Sequence, residues 1–217
     1  KNAPYRIKDF VKVRVGVKTT ADNVFIKDDW EQMPLEQQPE SELLLPLISS
    51  TTIQGWQTPI SSTEKVLYTH QAHHGKRFVI DLEKYPKAKE YLESHREQLE
   101  GRNYVIKANR KWYEIWVPQN PLFWKRPKLV FPDISEHPRF YFNENGAIAN
   151  GNCYWIINDN NSSNDLLFLI QGIANSKIMT TYHDLCFGNK LYAGRRRYLS
   201  QYVENYPLPN PSSEDAA

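Results

Sequence analysis

The sequence predicts an α+β fold, with a β-rich part first and helices towards its carboxyl end. Three observations predict it. Apolar and polar residues alternate near the start of the chain, as in a half-buried strand. Apolar residues recur at spacings of three and four near residue 90, as on one side of a helix. Aromatic strand-like segments are then followed by a helix with a wide apolar face.

The β-rich part begins at residues 11–18, where valine alternates with lysine, arginine or glycine. A strand with this pattern buries one face and exposes the other to solvent. Further strands are predicted at residues 65–69 and 77–80, with Gly55 and Gly75 marking loops.

A single helix is predicted over about residues 85–100, inserted into the β-rich part. Its apolar stripe runs from Tyr85 to Leu99, Pro86 suits the first helical turn, and Gly101 suits the end. Strands are predicted after it at residues 104–107, 112–117, 129–131, 139–142 and 152–157. Asn145 and Gly146 favour positive φ, and therefore predict a hairpin turn between the last two strands.

Two helices are predicted in the last third of the chain. Ser163 or Asn164 can cap a helix that begins at Asp165, whose carboxylate favours the positive end of the helix dipole. An amphipathic helix from Tyr198 to Tyr206 should end at Pro207. We therefore expect a β-rich subdomain at residues 1–160, a helical subdomain at 161–209 and a frayed tail at 210–217.

Positive charge is concentrated in the central third of the chain, although the 217 residues carry a net charge of only +2. Residues 65–142 contain 15 basic and 9 acidic side chains, whereas both flanking thirds are slightly acidic. Such a distribution is typical of a surface that faces phosphates. Lysines and arginines on the helix near residue 90 are set apart, because neighbouring glutamates can pair with them.

Composition excludes several classes of protein. The sequence has no apolar run of the roughly 20 residues that span a bilayer, so a membrane protein is not expected. The chain begins at Lys1 without a leader, so we expect an excised piece of a larger protein. Cys153 and Cys186 are expected to be buried free thiols in a reducing compartment.

The motifs of the common active sites are missing from the sequence. It has no Asn/Asp/Ser-Pro-Pro-aromatic element, no glycine-rich turn for a methyl donor, and no acidic-x-Lys element after Asp133 for a metal-dependent nuclease. His70, His73 and His74 lack acidic or cysteine partners at zinc-like spacing. We therefore predict no catalytic residue, metal site or cofactor in this sequence.

Six segments, taken in order, carry a resemblance to a known family. They read VRVGVKTTADNVFI, LLLPLISSTTIQGW, YPKAKEYLESHREQLEGR, WYEIWVPQNPLFWKRPKLVFPDISEHPRFYF, LLFLIQGIANSKIMTTY and RRRYLSQYVENYPLP, and together they cover most of the chain. In this order and spacing they resemble the C-terminal specificity domain of TaqI-like adenine-specific DNA methyltransferases and their fused restriction enzymes.

The resemblance has implications for fold and function. It implies a twisted, mainly antiparallel β subdomain followed by two helices packed as a hairpin. It also implies recognition of a specific sequence in double-stranded DNA, on behalf of a covalently linked N-terminal methyltransferase domain. That domain would bind S-adenosylmethionine and flip the target adenine, in the cytoplasm of a prokaryote.

Arginine and lysine can bind phosphates or guanine, and asparagine can read adenine, so residues of these types outside the paired helix are the candidates for DNA contact, together with Thr19 in the first loop. They are Lys18, Thr19, Lys76, Arg77, Lys107, Asn109, Arg110, Lys111, Lys125, Arg126, Lys128, Arg139, Arg195 and Arg196.

Two other functions fit the sequence. One is a free-standing module for single-stranded nucleic acid or another polymer, which would use aromatic side chains as stacking platforms. The other is the recognition domain of a phage-defence methyltransferase that lacks a nuclease.

Overall fold

The computed structural model describes residues 3–56, 62–158, 163–188 and 190–212. The strands are β1 Tyr5–Arg6, β2 Val13–Val15, β3 Ile26–Lys27, β4 Leu44–Ile48, β5 Lys65–Leu67, β6 His70–His73, β7 Lys76–Val79, β8 Lys128–Pro132, β9 Ile134–Ser135, β10 Tyr141–Asn143, β11 Ile148–Ala149, β12 Cys153–Ile156, β13 Arg196–Arg197 and β14 Pro207–Leu208. The helices are α1 Asp22–Phe25, α2 Pro86–Ser94, α3 Arg96–Glu100, α4 Asn103–Lys107, α5 Pro121–Trp124, α6 Asp165–Ala174, α7 Lys177–Phe187 and α8 Ser200–Val203. This mixture of antiparallel sheets and helices confirms the predicted α+β class.

A central antiparallel sheet in the order β10-β8-β12-β2 lies between two apolar cores. Side chains of successive strand residues point to opposite faces, and β12 shows this directly. Cys153 and Trp155 belong to the first core, whereas Ile156 belongs to the second core and Tyr154 packs against it. All five residues of β8 are buried, because one face of this strand contacts each core.

The first core lies between the central sheet and a second sheet in the order β11-β4-β5-β3. The second sheet is mixed, since β11 and β4 are parallel while the other pairs are antiparallel. The second core is covered by α6, α7 and the chain around α8. The two-stranded pairs β1–β14, β6–β7 and β9–β13 lie outside these sheets.

Two glycines let β2 and the loop after it approach the connection between β11 and β12. A Cβ atom added to Gly16 would lie 2.0 Å from the carbonyl oxygen of Asn150. One added to Gly151 would lie 2.7 Å from the carbonyl oxygen of Val17. The backbones therefore pack at a distance that excludes any side chain at either position.

The helix predicted over residues 85–100 is present but divided. It ends at Ser94, and α3 begins at Arg96 after His95 leaves helical geometry with φ −110°. The Nδ1 atom of His95 lies 2.9 Å from the carbonyl oxygen of Tyr91. The imidazole ring therefore contacts a carbonyl that a backbone amide would bind in an unbroken helix. Ala88, Leu92 and Leu99 still point to the core, as the spacing predicts.

Two of the predicted strands are wrong. Residues 104–107 form helix α4, where only Val105 is buried and the Tyr104 ring packs edge-on against Trp116 at 4.9 Å. Residues 112–117 are irregular, because side chains bind the backbone groups that a neighbouring strand would otherwise pair. The Glu114 carboxylate accepts a hydrogen bond from the Lys111 amide, and the Arg110 guanidinium donates to the carbonyls of Ile115 and Trp116.

The predicted hairpin at Asn145 and Gly146 is also wrong in its pairing. Gly146 has the expected positive φ of 76°. The strands on its two sides do not pair with each other, since β10 and β12 lie on opposite edges of β8. Strand β11 leaves this sheet between them and pairs with β4.

The helix predicted from Asp165 is confirmed as α6, and the Ser163 hydroxyl accepts from the Asp165 amide at 3.3 Å. The helix packed beside it is α7, joined to it by a two-residue link, and not the segment 198–206. That segment forms only the short helix α8, because Tyr198 and Tyr206 are buried in the second core and Pro207 begins β14.

The predicted boundary at residues 160 and 161 and the end of the predicted tail, 213–217, lie outside the described residues. Cys153 is buried, as expected, but Cys186 is exposed on α7. None of the helices in the described ranges has both the length and the apolar character needed to cross a bilayer.

We predict that Gly16→Ala destabilises the chain by about 3 kcal/mol or more, because the new methyl group overlaps a backbone carbonyl. Gly172→Ala is the matched control, since a Cβ atom there meets open space on α6 and alanine favours a helix. It should stabilise the chain by about 0.5–1 kcal/mol. Urea denaturation measures both values, and equal midpoints for the two variants would contradict the close approach.

Candidate nucleic-acid interface

The segment 108–120 is irregular, and basic and hydroxyl side chains hold its backbone in place. Arg102 is buried and donates to the carbonyl oxygens of Thr19 and Trp112. The Tyr68 hydroxyl donates to the carbonyl of Pro118 at 2.6 Å, and the Thr69 hydroxyl donates to that of Tyr113 at 3.1 Å. These bonds satisfy carbonyls that would otherwise be buried without a donor.

An aromatic side chain between two guanidinium groups follows this segment. Phe123 lies on α5, a single turn that begins at Pro121 and is capped by the Asn120 side chain. The guanidinium carbon of Arg14 is 5.4 Å from the centre of the Phe123 ring, and that of Arg126 is 5.9 Å from it. Residue Lys125, which follows the helix, is exposed.

Two further basic residues border the same stretch of chain. Arg77 on β7 is exposed and donates to the carbonyl of Gln119 at 3.1 Å. Lys18 is exposed, and its backbone forms both hydrogen bonds of a bridge with Val117. We call the group of Arg14, Arg77, Phe123, Lys125 and Arg126 the Phe123 surface. The Lys18 side chain lines a different concavity, with Asn23, Gln98 and Gly151.

Two candidates from the sequence are buried and do not face solvent. Thr19 is 0% exposed, and its hydroxyl accepts from the Ala21 amide and donates to Asp22. Lys128 is also 0% exposed, and its Nζ donates to the Trp124 carbonyl at 2.6 Å. Neither side chain reaches the surface in this conformation, and a contact of either with DNA stays a prediction.

The Arg110 side chain braces its own loop. It donates to the carbonyls of Ile115 and Trp116 at 3.3 and 2.6 Å, and it lies 5.0 Å from the Trp116 ring. Its Nε is also 3.9 Å from Glu114, whose other neighbour is the buried His70. These contacts bind Nη1 to the loop and place Nε near a carboxylate, so the side chain has a structural role here.

Burial lowers the pKa of His70, in spite of the Glu114 carboxylate at 3.6 Å. Burial also opposes ionisation of Glu114, but hydrogen bonds from His70 and the Lys111 amide lower its pKa below the usual value. His70 therefore serves the packing of this loop.

Lys107, Asn109 and Lys111 are exposed around the end of α4, apart from the Phe123 surface. Asn109 has a φ of 54°, which asparagine tolerates better than most residues. Lys111 lines a concave surface that also contains the carboxylates of Asp81, Glu83, Glu93 and Glu100. This surface has mixed charge and attracts phosphate less than the Phe123 surface does.

The remaining candidates lie elsewhere. Lys76 is exposed next to the β6–β7 turn. Arg139 donates to the Ile53 carbonyl at 2.9 Å and is partly buried. Arg196 is bound to both oxygens of Asp184, at 2.6 and 2.9 Å, while its neighbour Arg195 is exposed. The structure therefore does not bring all of the sequence candidates to one face.

Sequence reasoning missed Arg14 and Gln119. Arg14 was assigned only to the polar side of a strand, although that side faces the aromatic pair Phe123 and Trp155. Gln119 has a φ of 62° and donates to the Val15 carbonyl at 2.8 Å, so it ties the loop to β2. Alternation with valine predicts that Arg14 lies on one face of a strand, and only the strand order shows that this strand is at the edge of the sheet.

Across the ranges described, no three histidine, cysteine, aspartate or glutamate side chains are grouped as metal ligands would be.

The model of the TaqI-like C-terminal specificity domain family matches residues 76–208, which is more than half of the chain. The chain belongs to this family. The resemblance inferred from the six segments is thereby confirmed.

The similar curated proteins are Type II methyltransferases. M.BanIII of Aneurinibacillus aneurinilyticus is 54% identical over 214 residues, which are 98% of this chain and 37% of that protein. M.BstVI of Geobacillus stearothermophilus is 27% identical, over 93% of this chain and 34% of that protein. This chain therefore spans about a third of the length of the curated relatives that it matches.

Among solved structures, the chain is similar to the Type IIL restriction-modification enzyme MmeI, which was determined in complex with DNA. The TM-score is 0.62 at 17% identity, over 98% of this chain and 27% of that one. At this identity the likeness supports the fold.

We predict that alkaline pH stabilises the fold through Lys128. Burial lowers its pKa to about 8, whereas an unfolded lysine has a pKa of about 10.4. Between these values the unfolded chain binds more protons than the folded chain, so the free energy of unfolding rises with pH. The gain from pH 8 to pH 10.5, relative to Lys128→Met, should reach up to about 3 kcal/mol.

Chemical denaturation at pH 7, 8.5 and 10 measures this gain. Lys125→Met is the matched control, because Lys125 is exposed three residues earlier. Its stability should follow that of the unmodified chain at each pH. A pH dependence unchanged by Lys128→Met would show that this amine titrates normally.

We predict that Arg110→Ala lowers stability by about 2–3 kcal/mol, because two backbone carbonyls lose a charged donor. Lys107→Ala, at the exposed end of α4, should change stability by less than about 0.5 kcal/mol. Thermal and urea denaturation give both values. Normal stability with a relaxed preference at one base pair would instead make Arg110 a guanine reader.

Proposed function

We propose that this chain recognises the target sequence in double-stranded DNA for a methyltransferase domain in the same polypeptide. The observation that carries the proposal is the Phe123 surface, in which strands β2 and β7 and the segment around α5 supply four basic side chains and an aromatic ring. Membership of a family of specificity domains supports it, and so does the 54% identity to the methyltransferase M.BanIII. MmeI, which has a similar fold, was solved with DNA.

The Phe123 surface has the charge and the shape for two tasks. Exposed lysines and arginines neutralise phosphates and set the register of the duplex. Arg77 and Lys125 are exposed and fit this role. Phe123 is half-buried between guanidiniums, and its exposed edge can contact a base or a sugar.

Other exposed candidates remain part of the proposal as base or phosphate contacts at the border of this surface. They are Lys18, Lys76, Lys107, Asn109, Lys111 and the partly buried Arg139. Loops that lie beside a rigid surface can change sequence without changing the fold, which suits residues that select a base.

The linked domain is, in this proposal, an adenine-specific methyltransferase that uses S-adenosylmethionine in a prokaryotic cytoplasm. Type II methyltransferases among the relatives support this, and this sequence itself contains none of the motifs for the methyl donor or the flipped base. A nuclease fused to the same polypeptide is the second arrangement within this proposal; MmeI, whose fold is similar, is a restriction-modification enzyme.

We predict that Arg77→Gln and Lys125→Gln, each made in the complete enzyme, weaken binding to every duplex sequence. Each should reduce the slope of log K against log[salt] by about 1, because one phosphate contact is lost. Lys89→Gln is the control, since Lys89 lies on α2 and pairs with Glu83 at 2.7 Å. Fluorescence anisotropy across a salt series and a panel of single-base site variants measures affinity and preference.

The same assay distinguishes the other functions. A duplex should bind more tightly than either of its single strands, and one sequence should bind more tightly than its single-base variants. Equal affinity for single strands would favour the single-strand module. Salt slopes that stay unchanged in both variants would place the DNA on another face.

A further inference from the structure

Helix α7 carries an apolar stripe that no described part of the chain covers. Ile178 and Leu185 are 81% and 82% exposed and lie two turns apart, with the exposed Thr181 between them. The opposite side of the helix buries Met179 and His183 in the second core. A surface helix normally presents polar residues to water, so an exposed apolar stripe indicates a contact with another domain or protein.

A third exposed apolar side chain lies on a loop attached to this helix. Tyr192 is 79% exposed at the tip of the loop. The loop is tied to α7 through Asp184, which binds Lys190 at 3.2 Å and Arg196 at 2.6 Å. Hydrogen bonding to Arg196 and Lys190 lowers the pKa of Asp184 to about 2, so the tie persists at neutral pH.

The first described residues enter the domain beside the same helix. Strand β1 pairs with β14, and the guanidinium of Arg6 lies 3.4 Å from the hydroxyl of Tyr182 on α7. It also donates to the Asn205 carbonyl at 2.7 Å, which fixes the position of this strand. Strand β1 is therefore bound to α7 at Tyr182, the residue that follows Thr181.

The contact of β1 with α7 and the greater length of the relatives point to the part of the complete protein that covers the stripe. The chain spans about a third of M.BanIII, and its family consists of C-terminal specificity domains. We propose that Ile178, Thr181 and Leu185, with Tyr192, form the surface on which the preceding methyltransferase domain docks. This inference rests on the proposed function, because it requires that domain.

The charges around the stripe indicate which charges the docked domain should present to it. Lys177, Lys190 and Arg195 are exposed at its border, and Asp184 is already bound to two cations. The docked domain should therefore present an apolar centre with carboxylates around it. Arg195, a candidate for DNA contact by sequence, takes part in docking instead.

Docking at α7 leaves the Phe123 surface open. Phe123 and Trp155 belong to the side of the central sheet that contacts the first core, whereas α7 packs on the second core. The two surfaces are thus on opposite faces of one sheet, and DNA and the methyltransferase domain can bind at the same time.

The test uses the complete enzyme and the thiol of Cys186, which is exposed one residue after Leu185. Its rate of alkylation by N-ethylmaleimide is followed by mass spectrometry of the peptide. In Ile178→Ser/Leu185→Ser the rate should rise by roughly tenfold or more, because docking loses two apolar contacts and opens more often. Leu35→Ser, at an exposed leucine far from α7 in the sequence, should leave the rate unchanged.

Lys177→Glu gives an independent reading, because it places a negative charge where the proposal expects carboxylates on the partner. It should also raise the rate of Cys186 alkylation. Equal rates in the unmodified enzyme and in both stripe variants would overturn the proposal. A dimer of the unmodified enzyme that becomes a monomer in Ile178→Ser/Leu185→Ser on sedimentation would overturn it too, since a second copy would then cover the stripe.

The two proposals fail in different ways. Sequence-specific DNA binding is measured on the same preparation of unmodified enzyme. If that binding is present while Cys186 is equally reactive in every variant, only docking fails. If the unmodified enzyme has no preference for duplex sequence, the proposed function fails whatever the alkylation rates.

Discussion

The position of the candidate interface depends on hydrogen bonds from side chains to backbone carbonyls in the segment 108–120. No strand or regular helix satisfies the backbone of this irregular, partly buried stretch, so other residues must supply the donors. Arg102, Arg110 and Arg77 bind the carbonyls of Trp112, Ile115, Trp116 and Gln119. Part of the positive charge in the central third therefore has a structural role, whereas Arg77 binds a carbonyl and is still exposed.

The same requirement explains a lysine inside the protein. Strand β8 is buried on both faces, yet it begins with Lys128, whose amine donates to the last carbonyl of α5 and lies 3.4 Å from the Asn143 amide oxygen. Because burial of a charge is costly, its hydrogen bonds must hold a defined geometry. Lys128 thus fixes the last carbonyl of the turn that carries Phe123. The guanidinium carbons of Arg14 and Arg126 lie 5.4 and 5.9 Å from the centre of the Phe123 ring.

Periodicity in the sequence was enough to predict elements whose side chains face a core. The valine alternation before residue 18, the stripe from Tyr85 to Leu99 and the helix from Asp165 were found in this way. Segment 112–117 was misread, because aromatic residues favour strands while the actual partners of its backbone are distant side chains. Pairing across β8 could not be read either, since strand order depends on contacts far apart in sequence.

The site was predictable by residue type but not by position. The sequence does not show whether a lysine or arginine binds a carbonyl, a carboxylate or a phosphate. Only the fold shows that Lys128 is buried while Lys125 is exposed, and that Arg196 binds Asp184 while Arg195 is exposed. Alternation with valine could place Arg14 on the opposite face of its strand from Val13, but the aromatic residues on that face belong to segments distant in sequence.

The architecture gives the central sheet a mechanical role. From α7, buried contacts run through the second core and the stacked rings of Phe140 and Phe131, 4.2 Å apart, to β8 and the turn above Lys128. Native cores are close-packed and deform little, so a surface on one face keeps its orientation relative to the other. A methyltransferase needs its target base placed to within about 1 Å, since misplacement on that scale can cost 10²-fold in rate. Rigid packing between the docking stripe and the Phe123 surface, and not the length of any loop, is therefore what would align a recognised sequence with the catalytic site.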